Sequence, residues 1–222
     1  MATDQTIVRM SPVRTEAYLD LLQMLTGAGL AAFMIAHAIL VASVNLDLGG
    51  GRVMNAIGGF FETTYMAQVG GPLIALTMLA HFVLAARKLP FRAREQRAIW
   101  NHSVSFNQTD TWLWMIQALT AFLILIMGSI HVWTVLTDLP IKASKAAALL
   151  RSGWWLVFYA VLIPVIQLHL WIGVYRIGVK WGFVKRSNRA AVYNFLVKLT
   201  LIMIAIGFIS LFTFRVLVKV QS

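Results

Sequence analysis

The sequence predicts an all-α polytopic membrane protein, a bundle of five transmembrane helices. Three observations carry this reading. The chain is 59% hydrophobic with a mean hydropathy of +0.77. Its apolar residues gather into five runs of spanning length, about 20 residues each. All eight carboxylates (Asp4, Glu16, Asp20, Asp47, Glu62, Glu95, Asp110 and Asp138) fall at the ends of those runs or between them. Lipid offers no partner to an unpaired backbone N–H or C=O, so the runs must be helices.

Residues 1–16, MATDQTIVRMSPVRTE, form a polar segment of mixed charge. It lacks the basic-then-apolar pattern of a secretory leader, so no cleavage is expected. The first span, near 17–44, contains LAAFMIAHAILVA. The connection NLDLGGGRVMNAIGGFFETTYMAQVGGP is long and rich in glycine, which punctuates helices. It predicts irregular chain with a short interfacial piece around Val53–Phe61. The second span, near 68–88, contains IALTMLAHFVLAA, and a basic loop with Pro90 and His102 follows it. The third, near 111–137, contains LILIMGSIHVWTVL. After it, Ile141–Leu150 has the composition of an amphipathic interfacial helix. The fourth, near 154–180, contains IPVIQLHLWIGVY. The fifth, near 192–218, has the shortest apolar run, and Lys198 and Arg215 at its ends can snorkel to the headgroups. No internal repeat or low-complexity tract stands out. Residues 1–222 read as a single membrane-integral domain.

The net charge of +11 is unevenly distributed between the two ends of the spans. Thirteen Lys and Arg residues fall on the side of the N-terminus and six on the other (Arg52, Lys142, Lys145, Arg151, Arg215 and Lys219). The positive-inside rule then places the N-terminus in the cytoplasm, and the expected location is the cell's inner membrane. The same basic segments suit anionic headgroups and an acidic partner subunit. Nucleic acid is not needed to explain them.

Four of the five histidines lie inside spans. His37 is ten positions before Asp47 and His131 seven before Asp138, both at the outer boundary. His81 is six before Arg87 and His169 seven before Arg176, both at the inner boundary. A rise of 1.5 Å per residue puts each about 10–15 Å from its boundary. They therefore sort by depth into an outer pair, His37 with His131, and an inner pair, His81 with His169. A single histidine in a membrane helix can serve packing alone. Four matched in depth two by two point to function.

Chemistry narrows the function further. The chain has no cysteine, which excludes thiolate-held iron–sulfur clusters and thioether haem attachment. Zinc favours three or four ligands at one place. A proton pump needs titratable groups inside the spans, and no carboxylate lies there. Iron held by two imidazoles fits, and two pairs predict two haems b. With both axial positions taken, such iron transfers electrons rather than binding oxygen. Gln23, Arg151 and Lys180 are placed to meet haem propionates, and Gly128 and Gly173 to clear space near a porphyrin. Two alternatives stay open from the residues alone: a di-haem b subunit serving a hydrogenase or formate dehydrogenase, and a non-haem transporter with packing histidines.

The stretches LQMLTGAGLAAFMIAH, HFVLAARKLPF, DTWLWMIQALTAFLILIMGSIH and LHLWIGVYRIGVKWG carry a further likeness. Through them the chain resembles the di-haem cytochrome b subunit of quinol:fumarate reductases, within the succinate:quinone oxidoreductase superfamily, in its single five-helix form. The resemblance covers nearly everything after Tyr18. It implies haem ligation by His37, His81, His131 and His169, and propionate contacts from Gln23, Trp114 and Lys180. Phe61–Glu62 matches the family's Phe-Glu pattern, implying that Glu62 accepts a proton from menaquinol. It also implies an iron–sulfur subunit and a flavoprotein on the cytoplasmic face, and a dimer of heterotrimers. Where some members carry a titratable glutamate two residues before the fourth-helix ligand, this chain has Gln167. A transmembrane proton path through that position is therefore not expected.

Overall fold

The computed structural model describes residues 12–106 and 108–220. Residues 1–11 of the predicted N-terminal segment, Arg9 included, lie outside the described residues. The rest of that segment already belongs to the first helix. Among the described residues the fold is helical, with no strand. The order is α1 (Pro12–Ala42), a 3₁₀ turn (Ser43–Asn45), α2 (Arg52–Thr63), α3 (Met66–Ala86), α4 (Ala93–Phe106), α5 (Thr109–Leu136), α6 (Ala143–Arg151), α7 (Gly153–Lys180) and α8 (Arg189–Phe212). A π turn at Thr213–Leu217 prolongs α8.

Five of these helices, α1, α3, α5, α7 and α8, are long and apolar enough to cross a membrane. With 31 residues α1 is about 46 Å long, beyond the roughly 30 Å of hydrocarbon it crosses. It packs on α3, α3 on α5, α5 on α7, and α7 back on α1, closing a ring of four. α8 stands outside, against α7 and α1. Leucines and phenylalanines such as Leu76, Leu119, Phe195 and Phe212 face outward, where lipid rather than protein solvates them.

The bundle ends are built differently. At the end holding the start of α1, Asp20 pairs with Arg87, with Lys88 at 2.5 Å and with Lys180 at 2.5 Å. Asp110 at the start of α5 pairs with Arg189, whose Nε donates to the Tyr175 hydroxyl at 2.8 Å. Pairs on different helices fix the ring's register there. At the opposite end the seal is apolar: Leu40, Val44, Met54, Ala143, Ala147, Leu150, Leu211, Phe214 and Val218 form the buried core.

Two short helices make this cap. α2 occupies the segment where a short interfacial piece was predicted, and α6 the predicted amphipathic stretch. Gly51 enters α2 with φ of 70°, and a Cβ there would lie 2.7 Å from Ala143 Cβ. Only glycine suits both the left-handed backbone and the close approach of α6. Asp47 anchors the same turn, its carboxylate accepting from the N–H groups of Gly51 at 3.0 Å and Arg52 at 2.7 Å. Burial alone would raise its pKa, but these donors and the Arg52 guanidinium outweigh it and hold the group below its ordinary value.

The predicted basic loop after the second span is instead largely helical. α4 covers Ala93–Phe106, with Ile99 half-buried and Ser103 buried one turn apart on its inner face. One isoleucine and one serine make a brief inward pattern, and the surrounding Arg, Asn and Ser residues mask it in the sequence.

Candidate cofactor-binding site

The ring of α1, α3, α5 and α7 carries the four histidines. His37 on α1 and His131 on α5 face one another, with ring centroids 5.8 Å apart and planes inclined by 66°. Phe33 stacks on His37 at 5.7 Å. His131 Nδ1 lies 3.0 Å from the hydroxyl of Tyr159 on α7. His81 on α3 and His169 on α7 sit toward the ion-paired end, within electrostatic reach of each other.

His81 and His169 are each held at Nδ1 by two groups. His81 Nδ1 lies 3.1 Å from the Gln23 carbonyl oxygen and 3.1 Å from Thr26 Oγ1. His169 Nδ1 lies 3.2 Å from the Gln117 carbonyl oxygen and 3.1 Å from Thr120 Oγ1. A carbonyl oxygen only accepts, so Nδ1 carries the proton in both rings. That leaves each Nε2 lone pair free to bind a metal.

Neither threonine stands out by residue type, and what marks them is a repeat between α1 and α5. Gln23, Thr26 and His37 on α1 have the spacing of Gln117, Thr120 and His131 on α5: Gln-x-Leu-Thr, ten residues, then His. The signal is visible only when the two segments are set side by side, since the intervening residues differ. No spacing in the sequence marks Tyr159.

The residues suit a flat metal cofactor. Two imidazoles on one iron need ring centres about 6 Å apart, allowing two bonds of about 2.0 Å and the two ring radii. The outer rings stand at 5.8 Å. The inner rings present protonated Nδ1 atoms to accepting groups, the usual arrangement behind a ligating histidine. Among the described residues, no group of three or more His, Asp or Glu side chains converges as a compact metal cluster would need.

The other predicted residues fall at the two ends. Gln23, Trp114 and Lys180 lie on the halves of α1, α5 and α7 nearer the ion-paired end, and Lys180 Nζ is paired with Asp20. Arg151 ends α6 at the capped end, its side chain exposed and its carbonyl accepting from Arg215. A Cβ on Gly128 would meet Met78 Sδ at 3.4 Å, and one on Gly173 would meet Gln117 Nε2 at 3.0 Å. Both glycines thus allow close helix packing. Gly27 is the glycine that bears on a histidine: a Cβ there would lie 2.8 Å from His81 Cε1.

Glu62 sits in the last turn of α2 rather than in open loop. Its Oε1 accepts from Gln68 Nε2 at 2.7 Å, while Oε2 is buried without a hydrogen-bond partner among the described residues. It lines a cleft of about 350 Å³ with Asn55, Gly59, Thr63, Pro140 and Ile141. Gln167 is buried, and its Oε1 accepts from Trp171 Nε1 at 3.0 Å.

Comparison with known proteins agrees with this architecture. Residues 93–209 match the family described as succinate dehydrogenase/fumarate reductase transmembrane subunit. The chain is 36% identical over 183 residues to the fumarate reductase cytochrome b subunit of Helicobacter pylori, covering 78% of this chain and 70% of that one. It is 33% identical over 180 residues to the fumarate reductase cytochrome b subunit of Wolinella succinogenes, covering 77% and 69%. The chain therefore belongs to the succinate dehydrogenase/fumarate reductase transmembrane subunit family, as a multi-pass membrane anchor with five spans.

Proposed function

We propose that the chain is the quinol-oxidising anchor of a quinol:fumarate reductase, a single domain in the inner membrane with its N-terminus in the cytoplasm. It holds two haems b, the outer between His37 and His131 and the inner between His81 and His169. The observation that carries this reading is the facing of the His37 and His131 rings at 5.8 Å from two different helices. Family membership favours fumarate reductase partners over those of a hydrogenase or formate dehydrogenase.

Haem b, when bound at these pairs, supplies one-electron transfer across the membrane. The chain's own residues supply the rest. The Nε2 atoms of the four histidines would hold iron, and Gln23, Trp114, Arg151 and Lys180 would meet the propionates. Menaquinol oxidation releases two protons and two electrons. Glu62 takes a hydroxyl proton on Oε2, because Gln68 occupies Oε1 and the cleft has room for a ring. The electrons leave at the cytoplasmic face for an iron–sulfur subunit and then a flavoprotein that reduces fumarate, or travel the reverse way in succinate oxidation. The basic segments 87–97 and 185–189 form the docking surface, and the complex pairs as a dimer of heterotrimers. Gln167 cannot titrate, so this chain provides no carboxylate for carrying protons at that position.

A redox-titrated absorption spectrum of the purified complex tests the reading. Two b-type components, assignable to the two pairs through ligand variants, are expected. A colourless protein from haem-replete cells would overturn it.

A further inference from the structure

We propose that Thr26 and Thr120 are matched positioning residues that orient His81 and His169 and hold the inner haem at a lower reduction potential than unclamped imidazoles would give. This rests on the reading of His81 and His169 as iron ligands.

The direction of each hydrogen bond follows from its partners. Thr26 Oγ1 donates to the Leu22 carbonyl at 2.8 Å, and Thr120 Oγ1 to the Ile116 carbonyl at 2.8 Å. With its proton so directed, each hydroxyl offers only lone pairs to the ring nitrogen 3.1 Å away. The Gln23 and Gln117 carbonyls add second acceptors at 3.1 and 3.2 Å. Each Nδ1–H is thus shared between two oxygens that cannot donate back. Electron density is pushed into the ring, Nε2 becomes a stronger donor, and ferric iron is favoured over ferrous.

Back-bonding threonines are common in membrane helices and often do nothing more. Here the repeat separates the cases. Thr26 precedes His37 by the same eleven positions as Thr120 precedes His131. Eleven residues are close to three full turns, a rise of about 16 Å, so both groups lie on one helix face. One face each of α1 and α5 therefore presents an outer ligand and an inner clamp, while α3 and α7 bring the clamped rings. The outer pair lacks this device: its one hydrogen bond among the described residues is to a tyrosine hydroxyl, on one ring.

The test is redox titration of the purified complex carrying Thr26→Val, Thr120→Val and the corresponding serine variants, with haem counted per chain. Valine keeps the shape and removes the acceptor. The expected result is an upward shift of one midpoint, the other unmoved, and a return to the wild-type value with serine. Two haems retained with both midpoints unmoved would overturn the inference. Should a valine variant lose the inner haem, serine decides: haem at the wild-type midpoint supports the clamp, and equal loss overturns it. A wild-type complex without haem would instead fail at the cofactor reading, and the inference with it.

Discussion

The hydroxyl of Tyr159 on α7 meets Nδ1 of His131 on α5 at 3.0 Å, so the His37–His131 pair is steadied by a side chain from the helix that also carries His169. Trp155 stacks on the same tyrosine at 6.0 Å and fixes its ring. Removing the hydroxyl alone leaves that packing in place. Tyr159→Phe is expected to weaken the outer haem by about tenfold, in the range for loss of a partner behind a ligating histidine. The inner haem should be unaffected. Haem content after dilution in detergent, followed by the pyridine haemochrome, checks this.

Loss of a ligand should be more drastic and selective by pair. His37→Ala or His131→Ala should each remove the outer haem, and His81→Ala or His169→Ala the inner. In each case haem per chain should fall from two to about one. Each variant should also lose one spectral component, the same one for both members of a pair. If His37→Ala and His131→Ala removed different components, the pairing would be wrong.

Glu62→Gln tests the quinol end. The substitution keeps the shape of a side chain whose Oε1 already bonds Gln68, and removes only the ability to take a proton. Quinol-dependent fumarate reduction should fall by a hundredfold or so, the order of one general base. Both haems should remain bound and reducible by dithionite. Normal turnover would take Glu62 out of the mechanism.

The approach of His37 to His131 was legible because each span ends on charged residues that set its depth, and depth puts these two rings at one level. The short cap helices could be read from glycines around α2 and the alternation within α6. The clamp could not be read so directly. Its acceptors include two backbone carbonyls, which no residue type announces, and its threonines look like ordinary polar residues in a membrane helix. α4 was hidden for a different reason. Arg94, Arg97, Asn101 and Ser105 make its average polar, and two inward residues one turn apart are too few to show a period.

Asp20 concentrates the ionic seal at the end of the bundle that holds the start of α1, since Arg87, Lys88 and Lys180 all converge on it. Its side chain is 24% exposed, so the cluster is partly desolvated. Asp20→Asn would leave Lys88 and Lys180 without a counter-charge and Arg87 with only the exposed Glu16, at 3.4 Å. A loss of about 2 kcal/mol is expected, between the values for exposed and buried pairs. Because Lys180 would lose its partner, the inner haem's environment should change while the outer stays the same. Thermal unfolding in detergent and the two midpoints read these effects separately.

Gly27→Ala sets two magnitudes against each other. In a helix interior alanine is favoured over glycine by about 1 kcal/mol, which would stabilise α1. The added Cβ, however, would sit 2.8 Å from His81 Cε1 and 3.4 Å from its Nδ1. The ring cannot swing aside without leaving the Gln23 carbonyl and the Thr26 hydroxyl that hold it. Overpacking of this kind costs about 1–3 kcal/mol, so the contact outweighs the gain in propensity, and it is felt at the ligand rather than along the helix. The expected outcome is a chain that unfolds at nearly the wild-type temperature yet binds its inner haem about tenfold more weakly, with the outer haem intact. Haem content and thermal unfolding measured on the same preparation separate this from general damage, in which both haems and the melting temperature would fall together.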